Sequence, residues 1–554
     1  MQGSKKFVPL AIFATLALAV LLPLLNPGFV LTLDMVFTPK MPMPTSIESS
    51  YPLYALLHFL SVIMPIMIVQ KVMLFAILFG SALGAYRLVA FLQSDSQTTE
   101  IQWAACFAGV TYVFNPFVYS RFMAGQFALL LGYMLLPFFI RAVIQFCRDP
   151  ERRSGFWVCV WLLLINVASL HIGGLAMLAG ATVYMWQAVA QSKDARWRRN
   201  MLRWGSAVLG IMVAVSLYWI VPVLVGKSQT LHAVRSFNAS DLQAFATGGR
   251  GWGLIGNVLS LQGFWGDAQN LYSLPRETFV WWWLPIVLLW GVICVGIVRS
   301  WRRERSITSV FLALIGTSTI LAIGSAGTIF APFNRWIALH VPLFIGYREP
   351  QKFVVLIALG FAWFAGEGFA AIVASLQKNK QLKQHVVTLG FLLFLIPILT
   401  APMMTWGFHG QLKASEYPVE WDAMNDRLHA ACTGNCQILY LPWHLYMRYD
   451  FAGRIIGDPT PRFFTAKIIA SDNPEIKQAS SYDMTTIQRA VQDQILPAAS
   501  TNSAQFGELL NTYHIRYILL AKENDYHRYG YLDKDKTLQM VFDRPTLRLY
   551  EVKK

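Results

Sequence analysis

An acidic side chain follows the first hydrophobic segment of the chain almost at once. Asp34 lies in the stretch LTLDMVFTPKMPMPTSIESS, close to the end of the apolar run that starts at Phe7. A carboxylate at the edge of a bilayer needs water, a cation or a hydrogen-bonding partner to stay ionised. Such a group can take a proton as a general base, a task that a raised pKa in a low-dielectric setting would favour. The alternative is a loop residue that simply meets water.

Basic side chains that suit an anionic phosphate group occur in two other segments. YREPQKF contains Arg348 and Lys352, about one helical turn apart, and Glu349 could orient one of them. Arg121 lies in NPFVYSRFMAGQF, where a proline and a glycine interrupt the helical pattern. Arginine can donate two parallel hydrogen bonds to a phosphate. The alternatives are that Arg348 and Lys352 snorkel to anchor a span, and that Arg121 lies in a plain connector.

Aromatic and polar side chains in the long segment 227–276 form a third candidate group. Trp265 and Asp267 combine an aromatic face with a carboxylate, the groups on which sugar rings stack and to which they hydrogen-bond. The alternative is an aromatic belt at the membrane interface. His171 is a lone histidine without metal-ligand spacing to Asp34, so a hydrogen-bonded structural role fits it better than catalysis.

Composition indicates which elements must position these residues. Of the 554 residues, 55% are hydrophobic and only 14% are charged, which excludes an ordinary soluble protein. Runs of ~20 apolar residues recur to about Thr405, and the chain is more polar after that point. We therefore predict a polytopic α-helical membrane domain over residues 1–405, with outer loops 26–71 and 227–276. Residues 406–554 are predicted to form a soluble α/β domain.

The distribution of basic residues predicts the orientation in the membrane. The connections 193–203, 299–305 and 378–385 are strongly basic and should face the cytoplasm, as should the N-terminus. This holds if segment 52–70 is interfacial or re-entrant; if it crosses, the basic connections move outside unless another span is lost. The C-terminal domain is then extracytoplasmic, and the protein lies in the plasma membrane. About eleven spans are predicted, at 7–25, 72–92, 102–118, 126–146, 156–170, 172–190, 204–226, 277–299, 307–325, 350–374 and 386–405.

Local patterns predict the elements of the C-terminal domain. Helical spacing covers residues 415–430, 484–496 and 503–513. CQILYLPW and residues 515–521 are typical of strands, and LQMVFDRPTLRLYEV is typical of a hairpin that turns at 543–545.

Two cysteines of the C-terminal domain are close enough in sequence to pair. Cys432 and Cys436 bracket three residues, and an oxidising compartment would allow a local disulfide between them; two free thiols are the alternative. A metal site would need more ligands than this pair. The remaining cysteines lie in or near predicted spans, where they act as small apolar residues.

The net charge of +16 is concentrated in connections that we predict to be cytoplasmic. Orientation and attraction to anionic lipids explain it there, and the sequence contains no nucleic-acid module. It also lacks a Walker-type phosphate loop, which argues against an ATP-driven pump, and an internal repeat, which argues against a secondary transporter. We therefore expect membrane lipids, and not nucleic acid, as partners.

Together these features resemble the GT-C superfamily of membrane glycosyltransferases. The resemblance rests on an acid after the first span, on the segments NPFVYSRFMAGQF, LSLQGFW and YREPQKF, and on a C-terminal α/β domain. It is strongest toward bacterial and archaeal proteins of the YfhO-like and arabinofuranosyltransferase-like branches. The resemblance implies transfer of a sugar from a polyprenyl-phosphate donor to an extracytoplasmic glycan, glycolipid or glycoprotein acceptor.

The resemblance also implies roles for single residues. An aspartate in the first outer loop of GT-C enzymes acts as the base or orients the substrate, and Asp34 matches that position. Many members carry a pair of acids there, whereas Met35 follows here and Glu48 is the next acid. The expected donor-phosphate ligands are Arg348, Lys352 and Arg121, and the expected substrate-binding residues are Glu349, Trp265, Asp267, His171 and Glu48.

Other functions and a metal requirement stay open at this point. A transporter or flippase for lipids or lipid-linked glycans would carry charged residues near the centres of its spans, and this sequence has few of them. A non-catalytic membrane scaffold that binds glycans is a further alternative. A divalent cation, Mg²⁺ or Mn²⁺, is also open, although one acid offers few oxygen ligands. The enzyme hypothesis requires that Asp34, Arg348 and Lys352 line one cavity.

Overall fold

The computed structural model divides the chain into two compact units. The first consists of Met1–Leu22, Thr45–Leu53 and Val72–Gln411, and the second of Pro23–Pro44, Tyr54–Lys71 and Leu412–Lys554. The structure describes residues 7–44, 50–93, 99–226, 237, 239–327, 329–432, 436–476 and 484–553.

The first unit is built from α-helices joined by short turns. Two helices, Tyr51–Ile63 and Ile66–Leu92, run across the boundary between the units. The other helices of this unit are Val8–Leu21, Thr99–Val113, Pro116–Met123, Phe127–Arg148, Arg152–Ala168, Leu170–Ala190, Ala195–Leu224, Ala239–Ala244, Gly253–Leu259, Pro275–Thr278, Trp283–Arg303, Arg305–Ile323, Ala331–His340, Val354–Lys378 and Val386–Thr400. The segment Thr405–His409 is a short turn whose inner residues have left-handed backbone angles.

Among the described residues, eight helical segments are long and apolar enough to cross a membrane, so this is a multi-pass membrane protein. The eight segments are Ile66–Leu92, Phe127–Arg148, Leu170–Ala190, Ala195–Leu224, Trp283–Arg303, Arg305–Ile323, Pro350–Lys378 and Lys383–Thr400. The predicted spans 7–25, 102–118 and 156–170 correspond to helices of 14, 15 and 17 residues. These are shorter than the ~20 residues that a span usually needs, so the number eleven stays a prediction.

The structure moves the starts of three predicted spans by six residues or more: the span predicted at 204–226 begins at Ala195 and the one predicted at 277–299 begins at Trp283. The span predicted at 72–92 begins at Ile66, directly after Pro65. The segment predicted as interfacial or re-entrant, 52–70, is mostly the Tyr51–Ile63 helix of 13 residues, and its last residues belong to the next helix. Proline fits the first turn of a helix because the N–H group that it lacks would have no partner within the helix there, so the helix can begin directly after Pro65.

The Val354–Lys378 helix lies at the centre of the first unit. Every residue from Val354 to Phe369 is buried. It packs closely against the Trp283–Arg303 helix through two glycines. A Cβ atom on Gly296 would lie 1.8 Å from the carbonyl oxygen of Phe364, and one on Gly368 would lie 2.0 Å from that of Val292. Any larger residue would therefore force the two helices apart.

The second unit contains a five-stranded sheet with the strand order β6-β3-β7-β9-β8. Its strands are β3 (Gln437–Leu441), β6 (Ile468–Ile469), β7 (Ile515–Ala521), β8 (Leu538–Asp543) and β9 (Leu547–Val552). β3 is parallel to β6 and β7, whereas β9 is antiparallel to β7 and β8. The helices of this unit are Val419–Ala431, Thr460–Phe463, Thr486–Ala490, Leu496–Thr501 and Ser503–Thr512. The α/β architecture and the closing hairpin agree with the sequence prediction.

The second unit also includes two segments from the first hundred residues. Strand β1 (Phe29–Val30) pairs with β2 (Ala414–Ser415), and Tyr417 donates a hydrogen bond to the carbonyl oxygen of Phe37 at 2.9 Å. The predicted division at residues 405 and 406 thus differs from the observed one, which falls after Gln411 and adds 23–44 and 54–71. Hydropathy separates apolar from polar segments but carries no information on which strands pair.

The second unit also contains a second hairpin and a disulfide bond. A hairpin that the sequence analysis did not predict joins β4 (Tyr446–Tyr449) to β5 (Arg454–Gly457). The sulfur atoms of Cys432 and Cys436 are bonded, with their Cα atoms 5.3 Å apart, so this structure has the disulfide and not two free thiols.

Candidate functional site

Asp34 lies at the tip of a tight turn in the second unit. Met35 N donates to Thr32 O at 2.7 Å and Thr32 N donates to Met35 O at 3.2 Å, which leaves Leu33 and Asp34 as the two turn residues. Leu33 has a φ of 30°, in the left-handed region. The Asp34 side chain is exposed, and the hydroxyl of Tyr446 donates to its Oδ1 at 2.5 Å. The carboxylate is thus accessible, and it accepts a hydrogen bond from a neutral donor.

The turn that carries Asp34 is fixed to the β4–β5 hairpin. Gly457 N donates to the carbonyl oxygen of Leu33 at 2.9 Å, and Tyr446 lies opposite Gly457 in the hairpin register. A Cβ atom on Gly457 would approach that carbonyl oxygen to 3.2 Å. The same hairpin therefore holds the backbone of the turn and supplies the hydroxyl that contacts Asp34.

In the first unit, Arg121, Glu349 and Lys352 form a buried charge cluster. Arg121 Nη1 lies 2.9 Å from Glu349 Oε2 and donates to Gln126 Oε1 at 2.7 Å. Lys352 Nζ lies 3.8 Å from Glu349 Oε1. The side chains of Arg121, Glu349 and Lys352 are 0%, 12% and 8% exposed. Two short helical elements supply the cations: Pro116–Met123, capped by Asn115, and Pro350–Phe353.

Electrostatics keep Glu349 ionised. Burial alone would raise its pKa, but the positive charges of Lys352 and Arg121 lower the pKa well below its usual range. The guanidinium of Arg121 also lies over the ring of Phe264, with 4.1 Å to the centroid. Its Nε and Nη2 are buried and have no hydrogen-bond partner within the described part of the chain. The cluster thus contains hydrogen-bond donors of Arg121 that Glu349 does not accept from.

Asp267 has a different environment in the same unit. Tyr272 donates to its Oδ1 at 2.8 Å and Ser120 at 3.2 Å. Burial raises the pKa of Asp267 to about 6, in spite of these hydrogen bonds and of the charges of Arg276 and Arg121. Because Ser120 precedes Arg121 in one helix, Asp267 and Glu349 contact consecutive residues of the Pro116–Met123 helix.

Two further candidates, Trp265 and Arg348, contact the same aromatic ring. The ring of Trp265 packs edge-on against Phe245, with centroids 4.8 Å apart. The guanidinium of Arg348 lies 4.4 Å from the centroid of Phe245 and 3.8 Å from that of Phe237. The attraction between a guanidinium and the face of an aromatic ring is favourable, and it holds the Arg348 guanidinium against Phe237 and Phe245.

His171 is held by the segment that precedes Arg348. Its Nε2 lies 3.0 Å from the carbonyl oxygen of Gly346, and Tyr347 donates to the carbonyl oxygen of His171 at 2.8 Å. A Cβ atom on Gly174 would lie 2.1 Å from the Tyr347 hydroxyl oxygen. These contacts fix the position of residues 346–348.

Most of the candidate residues of the first unit lie close together, whereas Asp34 belongs to the second unit. Arg121, Glu349 and Lys352 are in direct contact, and Ser120 connects Asp267 to them. That Asp34 shares a cavity with Arg348 and Lys352 stays a prediction. Glu48 lies outside the described residues. Sequence reasoning missed Tyr446, Ser120 and Tyr272, because no local spacing relates these hydroxyls to the acids they contact.

A metal centre of the usual kind is not evident in the described ranges. Three or more His, Cys, Asp or Glu side chains that could hold one ion do not occur together there.

Comparison with solved structures identifies the fold. The chain matches the cryo-EM structure of arabinofuranosyltransferase AftD from Mycobacteria with a TM-score of 0.65 and 14% identity, over 98% of this chain and 40% of that one. It also matches the archaeal oligosaccharyltransferase AglB from Archaeoglobus fulgidus, in complex with an inhibitory peptide and a dolichol-phosphate. The TM-score for AglB is 0.46 and the identity 11%, over 93% of this chain and 69% of that one.

The match to AftD shows the fold and nothing finer. The chain has a polytopic membrane fold like that of AftD, with a C-terminal α/β domain, and this agrees with the GT-C-like fold that the resemblance of its motifs predicted. It spans 40% of the length of AftD. No protein-family model and no curated protein matches the sequence.

Proposed function

We propose that the protein is a membrane glycosyltransferase that moves a sugar from a polyprenyl-phosphate donor to an extracytoplasmic glycan, lipid or protein acceptor. The observation that carries the proposal is the likeness of fold to an arabinofuranosyltransferase over 98% of the chain. The proposal includes a cytoplasmic N-terminus, as the basic connections predict.

Asp34 is proposed as the general base. The acceptor hydroxyl must lose its proton as its oxygen bonds to the sugar carbon, while the bond from that carbon to the phosphate oxygen breaks and the lipid phosphate leaves. Phosphate leaves readily, so one carboxylate suffices for the proton. The exposure of Asp34 supports this role, because an acceptor can reach it. The hydrogen bond from Tyr446 supports it too, because it restricts the carboxylate.

The cations of the first unit are proposed as ligands of the donor phosphate. Arg121 and Lys352 are held by the buried carboxylate of Glu349, and this arrangement fixes them before a ligand arrives. The two buried donor groups of Arg121 that lack a partner within the described residues support the same role. Arg348 adds a third cation on the aromatic surface of Phe237 and Phe245.

Replacing Asp34 tests the proposed base. Asp34→Asn keeps the size of the side chain and removes its basicity, so we expect sugar transfer to fall by about 10²–10⁴-fold. The full-length protein in lipid nanodiscs is given a panel of radiolabelled polyprenyl-phosphate sugars and a cell-envelope extract as acceptor. Asp426→Asn, an exposed substitution in the same unit, is the matched control. A wild-type rate in Asp34→Asn would rule out the base.

Replacing Arg348 tests the phosphate ligands. Arg348→Gln removes one positive charge, so we expect the Kd of the donor to rise by about tenfold while the folded fraction stays the same. Donor binding is measured by equilibrium titration with the protein in nanodiscs. Arg335→Gln changes an exposed arginine of the same unit and serves as the control. Equal donor affinity in both variants would assign Arg348 to anchoring only.

A further inference from the structure

A cavity of about 650 Å³ lies within the second unit. Its walls come from the segment 39–42, from His58 and Ser61, and from the segment 461–468. All of these residues belong to the second unit. A volume of this size falls within the range of ~300–1,000 Å³ that is typical of small-molecule sites.

The charged residues among the described lining of this cavity are all positive. Its lining includes Lys40, Arg462 and Lys467, and none of the described lining residues is Asp or Glu. Lys40 and Lys467 are exposed, so their ammonium groups can turn toward a ligand. Clustered cations without a neighbouring acid attract an anion strongly.

The third cation of the cavity is fixed in place. Arg462 donates from Nη1 to the carbonyl oxygen of Val36 at 3.2 Å and from Nη2 to the hydroxyl of Tyr54 at 3.3 Å. Its own carbonyl oxygen accepts from the hydroxyl of Thr38 at 3.3 Å. The guanidinium charge therefore stays at the wall whether or not a ligand is bound.

The lining of the cavity also includes the imidazole ring of His58 and an apolar surface formed by Phe463 and Phe464. The Nδ1 atom of His58 lies 2.6 Å from the carbonyl oxygen of Met41, which only accepts, so Nδ1 carries the hydrogen of this contact. Phe463 and Phe464 are buried and form part of the same lining. The cavity thus combines a fixed cation and two mobile ones with an aromatic wall.

We propose that this cavity binds the phosphate group of a phosphate ester. A phosphate monoester carries about −1.5 to −2 charge at pH 7, which matches several cations better than the single charge of a carboxylate does. The ester can be a lipid headgroup or a soluble compound, since the recognised chemistry is the same. The inference uses neither Asp34 nor glycosyl transfer, so it holds or fails independently of the proposed function.

The test compares two double variants of the full-length protein. Lys40→Gln with Lys467→Gln removes the two mobile cations of the cavity, and both residues are exposed, so we expect the protein to fold. Lys413→Gln with Lys534→Gln removes the same charge from exposed positions of the same unit that do not line the cavity. Equal melting temperatures of the two variants establish that folding is not the cause of any difference.

Two measurements distinguish the sources of the phosphate. In phosphatidylcholine nanodiscs, inorganic phosphate is titrated calorimetrically with acetate as the comparison anion, which reports on a soluble ester. In nanodiscs that contain phosphatidic acid, a lipid whose headgroup is a phosphate monoester, retained anionic lipid is counted by native mass spectrometry, which reports on a headgroup. We expect binding in at least one measurement, weakened by about tenfold in the cavity variant and unchanged in the control variant. If neither ligand binds, or if both double variants bind alike, the proposal is overturned.

Discussion

Two buried carboxylates of the first unit, Glu349 and Asp267, have pKa values displaced in opposite directions. Burial raises the pKa of both. For Glu349 the cations of Lys352 and Arg121 reverse the effect, whereas Asp267 has two hydroxyl donors as its hydrogen-bond partners and keeps a pKa of about 6. The difference teaches that the partner, and not the depth of burial, decides whether a buried acid here stays ionised.

The two acids therefore suit different tasks. Glu349 stays ionised at neutral pH and can hold two cations in place for an anionic ligand. Asp267 can gain or lose a proton near neutral pH, at a site 3.2 Å from the hydroxyl of Ser120. Three substitutions test this contrast.

Arg121→Met is expected to have the largest effect, because it removes the cation that hydrogen-bonds Glu349. The carboxylate would stay buried with only Lys352 beside it, and breaking a buried pair in this way costs about 3–5 kcal/mol of the free energy of unfolding. Thermal unfolding of the detergent-solubilised protein at pH 7 measures the loss. Arg335→Met, at an exposed position of the same unit, is the control. A melting temperature equal to that of the control would show that Arg121 does not hold Glu349.

Glu349→Gln should cost less, about 2–3 kcal/mol, because the amide oxygen can still accept from Arg121 while both cations lose their counter-charge. The pKa of Glu349 is lower in the folded protein than its ordinary 4.5. Its stabilisation is therefore fully present above pH 4.5 and is lost as the pH falls toward the folded-state pKa. We expect the gap in melting temperature between wild type and variant to shrink from pH 7 to pH 4. A gap that does not change with pH would contradict the depressed pKa.

Asp267→Asn should have the smallest effect, about 1 kcal/mol, and the opposite pH dependence. The pKa of Asp267 is raised from 3.8 to about 6, so its contribution to stability is full below pH 3.8 and is lost as the pH rises through 6. The wild type should therefore lose stability relative to the variant between pH 5 and pH 7.5. Asp149→Asn, at an exposed acid of the same unit, should show no such trend. Parallel pH curves for wild type and Asp267→Asn would mean that Asp267 titrates normally.

Local spacing predicted part of this arrangement. The pattern of LQMVFDRPTLRLYEV predicted the β8–β9 hairpin, because the alternation and the turn residues lie within 15 residues. The prediction that Glu349 orients either Arg348 or Lys352 rested on the same kind of local spacing, and Lys352 Nζ lies 3.8 Å from Glu349 Oε1. Short-range features of this kind depend on the backbone period alone.

The sequence analysis did not predict the contacts between residues that are far apart in the chain. Arg121 and Glu349 are 228 residues apart in the chain, and Asp34 and Tyr446 are 412 residues apart. Their meeting depends on how whole helices and strands pack, which no motif encodes. The burial of Asp267, which raises its pKa, depends on the same packing, so the sequence did not predict it either.

The sequence distance between Asp34 and Tyr446 has a consequence for the order of events during synthesis. At about 5–20 residues per second, the ribosome adds Tyr446 roughly 20–80 s after Asp34. Throughout that interval the turn that carries the acid lacks the hairpin to which its backbone is hydrogen-bonded in the finished protein. A nascent chain released early would therefore carry the acid without its support, and the proposed activity can start only when nearly the whole polypeptide has been made.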